Sequence, residues 1–256
     1  MKTLFLAWQD KRKVSEGGTR EWFPIGRLQA DLHKHLYFFD YTKGMNRAKE
    51  VAGFHPLDAF PEVNKHYVSA ELFPLFQNRV LRQERTDFPA YMQRLGLEGE
   101  QVDPFEILAV SGGERQTDTL EVFPKITTQA DGSFSCRFFL HGWRYVNEGA
   151  RQRIVELKSG ELLQVSLELN NPATGPAIQL LTASDYYMLG WTPRYLVMDL
   201  IRAIGEGPTD IHAQVVRVNM PPAPRNQRVL VQLEGRFPAG MEPMASPDFE
   251  PLVATA

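Results

Sequence analysis

Residues 4–8 of the stretch TLFLAWQD (3–10) form a short continuous apolar run, and it ends in the charged stretch KRKVSEGGTR. That pattern predicts a strand followed by a turn. Residues 21–31 (EWFPIGRLQAD) resume extended structure, and HLYFFDYTKG (35–44) predicts an aromatic-rich strand. In MNRAKEVAGF the apolar positions spread to helical spacing, which predicts a short helix stopped at Gly53. A proline-punctuated stretch follows. There Ser69 is expected to cap a helix holding Leu72, Leu75, Phe76 and Val80. Thr86 or Asp87 is expected to cap the next helix, with Phe88, Tyr91, Met92 and Leu95 on one face. DPFEILAVSGG predicts another short helix closed by glycine, and TLEVFPKI (119–126) a strand.

The polar, turn-rich stretch TTQADGS (127–133) marks a domain boundary, and beyond it the pattern is mainly β. FSCRFFLHGW is a predicted strand and ARQRIVELKSG a short helix. ELLQVSLEL and AIQLLTAS are strands around a hinge running from Asn170 to Pro176, and YYMLGWT is a further strand. PRYLVMDLIRAIGEG predicts the longest helix of this half, with Thr192 as N-cap and Pro193 at the first helical position. DIHAQVVRVNM and RVLVQLEGRF close the pattern as strands around a PPAPRNQ loop. The small residues, prolines and acids from Ala239 onward predict a disordered tail. The resulting expectation is an α+β module over residues 1–126, a linker at 127–132, a mainly β domain with one longer helix at 133–238, and a tail at 239–256.

Composition adds three constraints. The 256 residues carry a net charge of −3, which argues against charge-driven coating of DNA or a membrane and leaves room for a local basic site. One cysteine, Cys136, excludes an internal disulfide and points to a reducing compartment. The first apolar run is too short for a secretory signal, and no run reaches the roughly 20 apolar residues of a membrane span. The expected setting is cytoplasmic, with no membrane partner. Beyond the boundary Lys158 is the only lysine, so arginine supplies the remaining basic side chains. Arginine suits planar contacts with phosphates and aromatic rings better than lysine does.

No nucleophile elbow, phosphate loop, H-E-x-x-H or paired Cys-x-x-Cys is present, so no catalytic residue, metal site or cofactor is expected. SGGERQTD (111–118) lacks the Lys-Ser/Thr ending of a phosphate loop and reads as a turn. His33 and His35 would share a face on a strand, but no third metal ligand accompanies them. GWRYV (142–146) places Trp143 and Tyr145 on one side of a predicted strand and Arg144 on the other. Aromatic faces and guanidinium groups on a β scaffold are what grips single-stranded nucleic acid, although two core aromatics beside a surface arginine would read the same way. Tyr186, Tyr187, Trp191 and Tyr195 gather near the start of the long helix. Free N–H groups there, with Arg194 in the first turn, would suit a phosphate.

In order, FFLHGWRY, RIVELKSGE, LNNPATGPAI and LGWTPRYLVMDLI resemble the HIRAN domain over about residues 134–238. The resemblance implies a small, OB-like β-barrel that binds single-stranded DNA or a 3′ DNA end. It implies phosphate contact at Arg144 and base stacking on Tyr145; the chemistry of the long helix's start adds Arg194 as a phosphate contact and Trp191 as a stacking ring, with Tyr195 in the same stretch. Asn170 and Asn171 would position backbone or sugar. The acid that holds a terminal hydroxyl in DNA-end binders has no counterpart, since Ala173 and Thr174 occupy that place. Thr174 still offers a hydrogen bond, so the resemblance implies binding of single strands more generally than strict 3′-hydroxyl recognition.

WFPIGRL, LYFFDYTKG, FHPLDAFPEV, LFPLFQNRVL and DPFEILAVSGGERQTDTLEVFP are similar to the N-terminal module of HipA-type toxin kinases. The kinase portion is absent, so this similarity implies a module that docks a protein partner. The whole is then expected to be a non-catalytic DNA-binding adaptor, whose partner is a HipA-type kinase or a DNA-processing enzyme. The alternative is an antitoxin-like or regulatory subunit acting through protein contacts without DNA binding.

Overall fold

The computed structural model describes residues 1–10, 12, 21–97, 102–115, 117–172 and 175–253. It is a mixed α/β structure with two antiparallel sheets, and it divides into two compact units. Unit 1 comprises residues 1–89, 99–125 and 244–256; unit 2 comprises 90–98 and 126–243. Most of the charged stretch after residue 10 lies outside the described residues. No described helix is long and apolar enough to cross a membrane.

Unit 1 holds β1 (Lys2–Gln9), β2 (Trp22–Asp31), β3 (Leu36–Tyr41), β4 (Tyr67–Ser69) and β5 (Leu120–Pro124), in the order β4-β3-β2-β1-β5. Helix α1 (Lys43–Ala52) buries Met45, Ala48 and Ala52 and ends at Gly53 in the left-handed region, as its spacing predicts. One sheet face carries Leu4, Leu6, Ile25, Leu28 and Phe39. These pack with Phe60, Phe76, Phe105 and Leu108 in a core whose closest ring pair, Phe39 and Phe60, stacks at 3.9 Å. The short helices α2 (Pro74–Gln77) and α4 (Pro104–Ser111) bring in Phe76 and Phe105. Asp103 caps α4 by accepting from the Phe105 N–H at 2.8 Å.

Ser69 does not start a helix. It ends β4, and its hydroxyl accepts from the Glu71 N–H at 3.1 Å. The helix waits for Pro74, whose fixed φ suits the first turn, and stops at Gln77, so Val80 lies beyond it. His33 and His35 sit exposed in the turn between β2 and β3 rather than on a strand. The expected disordered tail is instead ordered over residues 244–253, the part of it from Met244 that the structure describes. Phe249 packs on Phe5 at 4.7 Å and on Phe123 at 6.4 Å, and Leu252 N–H donates to Tyr41 O at 2.8 Å. Phe5 and Phe123 form a cross-strand pair on the face opposite Leu4 and Leu6. The tail covers that face, which is why β1 is apolar on both sides.

Unit 2 holds β6 (Ser133–Phe139), α5 (Glu148–Glu156), β7 (Leu162–Asn171), β8 (Gly175–Thr182), β9 (Met188–Trp191), α6 (Arg194–Glu206), β10 (His212–Val218) and β11 (Val229–Arg236). The strand order is β6-β11-β10-β7-β8-β9. The C-terminal part of α3 (Phe88–Leu95) also belongs here, so the chain visits unit 2 before the polar stretch at 127–133. The sheet is not a continuous closed ladder among the described residues. One bridge, His141 to Trp191, links the segment just after β6 to β9, with both N–H···O distances 2.9 Å. Leu140, Ile178, Leu180, Leu189, Leu196, Leu200, Val215 and Leu233 are almost wholly buried. Amphipathic α6 supplies Leu196, Val197, Leu200 and Ala203 to this interior.

Candidate functional site

The residues predicted to act together fall on three segments of unit 2. The first is the stretch after β6. Gly142 takes φ +68, which ends the extended run, and Trp143–Tyr145 form a 3-10 turn. Strand alternation therefore does not govern these side chains, contrary to the expectation for GWRYV. Tyr145 is 68% exposed, the most open tyrosine of the chain's described part. The Arg144 guanidinium lies over its ring at 4.8 Å, and Nη2 donates to Tyr145 Oη at 2.8 Å. Trp143 is half-buried, and its Nε1 donates to Arg225 O at 2.8 Å.

The second segment is the end of the β7–β8 hairpin. Asn170 and Asn171 lie on β7 itself, with Asn171 opposite Gly175. The strands thus run further into the predicted hinge than its composition indicates. Asn170 is exposed. Asn171 Nδ2 donates to Glu168 Oε2 at 2.9 Å. Ala173 and Thr174 lie outside the described residues, so the predicted Thr174 contact has no structural account.

The third segment joins β9 to α6. Trp191 Nε1 donates to the same Glu168 Oε2 at 2.7 Å. Its ring also packs against Gly142, where an added methyl carbon would come within 2.7 Å of Trp191 Cζ3. Thr192 is not the cap. It is 3% exposed, its N–H donates to Ile178 O at 2.9 Å, and its hydroxyl is buried without a partner. Pro193 is the N-cap residue, which makes Arg194 the first helical residue. Arg194 and Tyr195 are both half-buried. Removal from water and then the nearby charge of Arg194 push the His141 imidazole down to about 4.

Trp191 is therefore the hub. Its backbone closes on His141, its ring on Gly142, and its indole N–H on Glu168, which also holds Asn171. The structure joins Asn171, Trp191 and the turn carrying Arg144 and Tyr145; among the described residues no side-chain hydrogen bond ties Asn170 to Trp191 or to that turn. Sequence reading missed Glu168. Desolvation works to raise its pKa, but hydrogen bonds from Asn171, Trp191 and Gln179 outweigh it and hold the carboxyl below the usual range. The sequence signal was faint: one acid on the polar side of an alternating strand. Only the register, with Gln179 opposite both Ser166 and Trp191, brings those donors to it. Cys136, on β6, has its thiol pushed up to about 12 by burial, which keeps it in the protonated form at neutral pH. No group of three His, Cys, Asp or Glu side chains able to hold a metal occurs among the described residues.

Comparison with known proteins gives the chain no family: no family model and no curated protein matches it. Among solved structures it is similar to a structural-genomics protein from Lactobacillus plantarum. That likeness has 18% identity and a TM-score of 0.32, and it covers 41% of this chain and 97% of the other. It is too slight to carry an argument.

Proposed function

We propose that unit 2 is a HIRAN-like module with an OB-related barrel, and that it binds single-stranded DNA or exposed DNA ends. In this reading unit 1 docks a protein partner, and the chain is a cytoplasmic adaptor without catalysis of its own. The observation that carries the proposal is the exposed Tyr145 ring with the Arg144 guanidinium laid over it. A base can stack on such a ring while the guanidinium meets a phosphate. The His141–Trp191 bridge supports the barrel, because it links the chain just beyond one outer strand, β6, to the other, β9. Glu168 already accepts N–H groups from Asn171, Trp191 and Gln179, so this acid is not free to hold a terminal hydroxyl. General single-strand binding therefore suits the site better than strict 3′-end recognition.

The test is fluorescence anisotropy with short labelled single strands at low salt. Tyr145→Ala is expected to weaken binding about tenfold, within the roughly 1–3 kcal/mol of one stacked base. Arg144→Ala is expected to weaken binding and flatten its salt dependence. Wild-type protein that leaves anisotropy unchanged would end the proposal. Leu167 and Leu169, exposed toward the end of β7, favour the second reading, a regulatory subunit acting through protein contact. That reading predicts a partner captured through β7 with no nucleic acid in the complex.

A further inference from the structure

Arg228 is an unusual arginine. It is only 8% exposed, yet no carboxylate pairs with it among the described residues. Its Nη1 donates to Asn219 O at 2.7 Å, and its Nε is buried without a partner. Asn219 is fixed in turn, its Nδ2 donating to Arg94 O at 3.0 Å and Gln227 O at 2.7 Å. Burial lowers the Arg228 pKa, so the fold bears a cost to keep this charge. The guanidinium lies over the Trp143 ring at 5.3 Å, an arrangement that offsets part of that cost.

Next along the chain from Trp143, Arg144 lies over the ring of Tyr145 in the same way. Trp143 Nε1 is tied to the backbone of Arg225, which is exposed and also has no carboxylate partner among the described residues. The acid closest to Arg144 in sequence, Glu148, is held by Arg151 at 2.6 and 3.1 Å. By contrast, Arg27, Arg47, Arg79 and Arg153 all meet carboxylates. Arg144, Arg225 and Arg228 thus reach one 3-10 turn with no carboxylate partner among the described residues.

We infer that Arg228, with Arg225 and Arg144 around Trp143, forms an anion subsite for a phosphate group. The subsite extends the proposed DNA-binding surface from Tyr145 inward to Trp143. It rests on the single-strand reading only for the carrier of the phosphate, which is a phosphodiester of a bound strand or a free phosphate compound. Arg228 has the chemistry for it: a guanidinium offers five donors, and one is engaged here.

Two measurements on the full chain separate the possibilities. The first is a pyrophosphate titration at constant ionic strength, read by tryptophan emission. Wild-type emission should change, and the change should vanish in Trp143→Phe and Arg228→Met. The second is binding of a labelled oligothymidine across a KCl series. Arg228→Met should bind about tenfold more weakly, as expected for one charge-assisted hydrogen bond. The slope of log affinity on log salt should flatten by about 0.7, the share of a single phosphate. A purely structural arginine would leave that slope unchanged in whatever fraction stays folded. If Arg228→Met does not fold, the exposed Arg225→Ala carries the same slope comparison. Unchanged affinity and slope in folded variants, with no pyrophosphate response, overturn the subsite while strand binding stands. A pyrophosphate response that depends on Arg228, in a protein that takes up no strand, upholds the subsite and removes the single-strand reading.

Discussion

At the scale of single residues, Glu168 holds the Trp191 indole and the His141 backbone holds the Trp191 backbone. Replacing Glu168 with alanine leaves the Asn171 and Trp191 donors without their acceptor. Hydrogen bonds to charged groups are each worth about 1.5–3 kcal/mol when shielded, and partial exposure brings the expected total loss to about 1–3 kcal/mol. Thermal denaturation of Glu168→Ala checks this. Because the folded pKa of Glu168 is lowered, its contribution is complete above the unfolded carboxyl value and is lost as pH falls through the folded value. Glu168→Gln should therefore lose less stability than wild type on acidification below about pH 4. His141 acts in a higher window. Its folded pKa of about 4 lies below the unfolded value of about 6.5, so the unfolded chain binds the extra proton first. Stability should fall as pH drops from about 6.5 towards 4, and His141→Gln should flatten that slope in urea titrations run at several pH values.

At the scale of elements, the sequence was most legible where the pattern was local. The β1, β2, β3, β7, β8 and α1 positions follow from short apolar runs, alternation and glycine stops, because those signals act within one segment. Reading failed where a neighbour decides the conformation. GWRYV reads as strand, but the Trp191 ring occupies the space beside Gly142 and the chain turns there instead. Thr192 has the chemistry of a cap, yet its N–H completes the ladder to Ile178 and the helix starts one residue later. Glu168 and Arg228 escaped notice for the same reason: their partners are distant in sequence. Gly142→Ala tests this account. The added methyl meets Trp191 and the backbone stays at φ +68, so a loss of more than about 1 kcal/mol is expected from the left-handed conformation alone. Quenching of Trp191 emission should rise in the same variant, as the ring is forced from its seat.

At the scale of the whole molecule, the second face of the unit 1 sheet belongs to residues far away in the chain. Removing residues 244–256 uncovers Phe5 and Phe123 and breaks the bond from Leu252 to Tyr41. Truncating one large core aromatic typically costs about 3–5 kcal/mol, and Phe249 is half-buried, so about 2–3 kcal/mol is expected. Amide hydrogen exchange locates the effect: β1 and β5 should lose protection, while β10 and β11 keep theirs. Composition alone made this tail look disordered, because its few apolar residues are spaced among prolines and acids. Their value comes from an apolar sheet face waiting for them, and no window of sequence around residue 249 contains that face.

The returning tail also sets an order of events during synthesis. The ribosome makes the strip that covers Phe5 and Phe123 only after every strand of unit 2 has been made. All five strands of unit 1 are made before β6, yet its sheet stays uncovered on one face until the residues around Phe249 and Leu252 have been made and have emerged. For that interval the nascent chain presents an apolar surface that chaperones recognise, and a chain cut short before residue 244 keeps Phe5 and Phe123 uncovered.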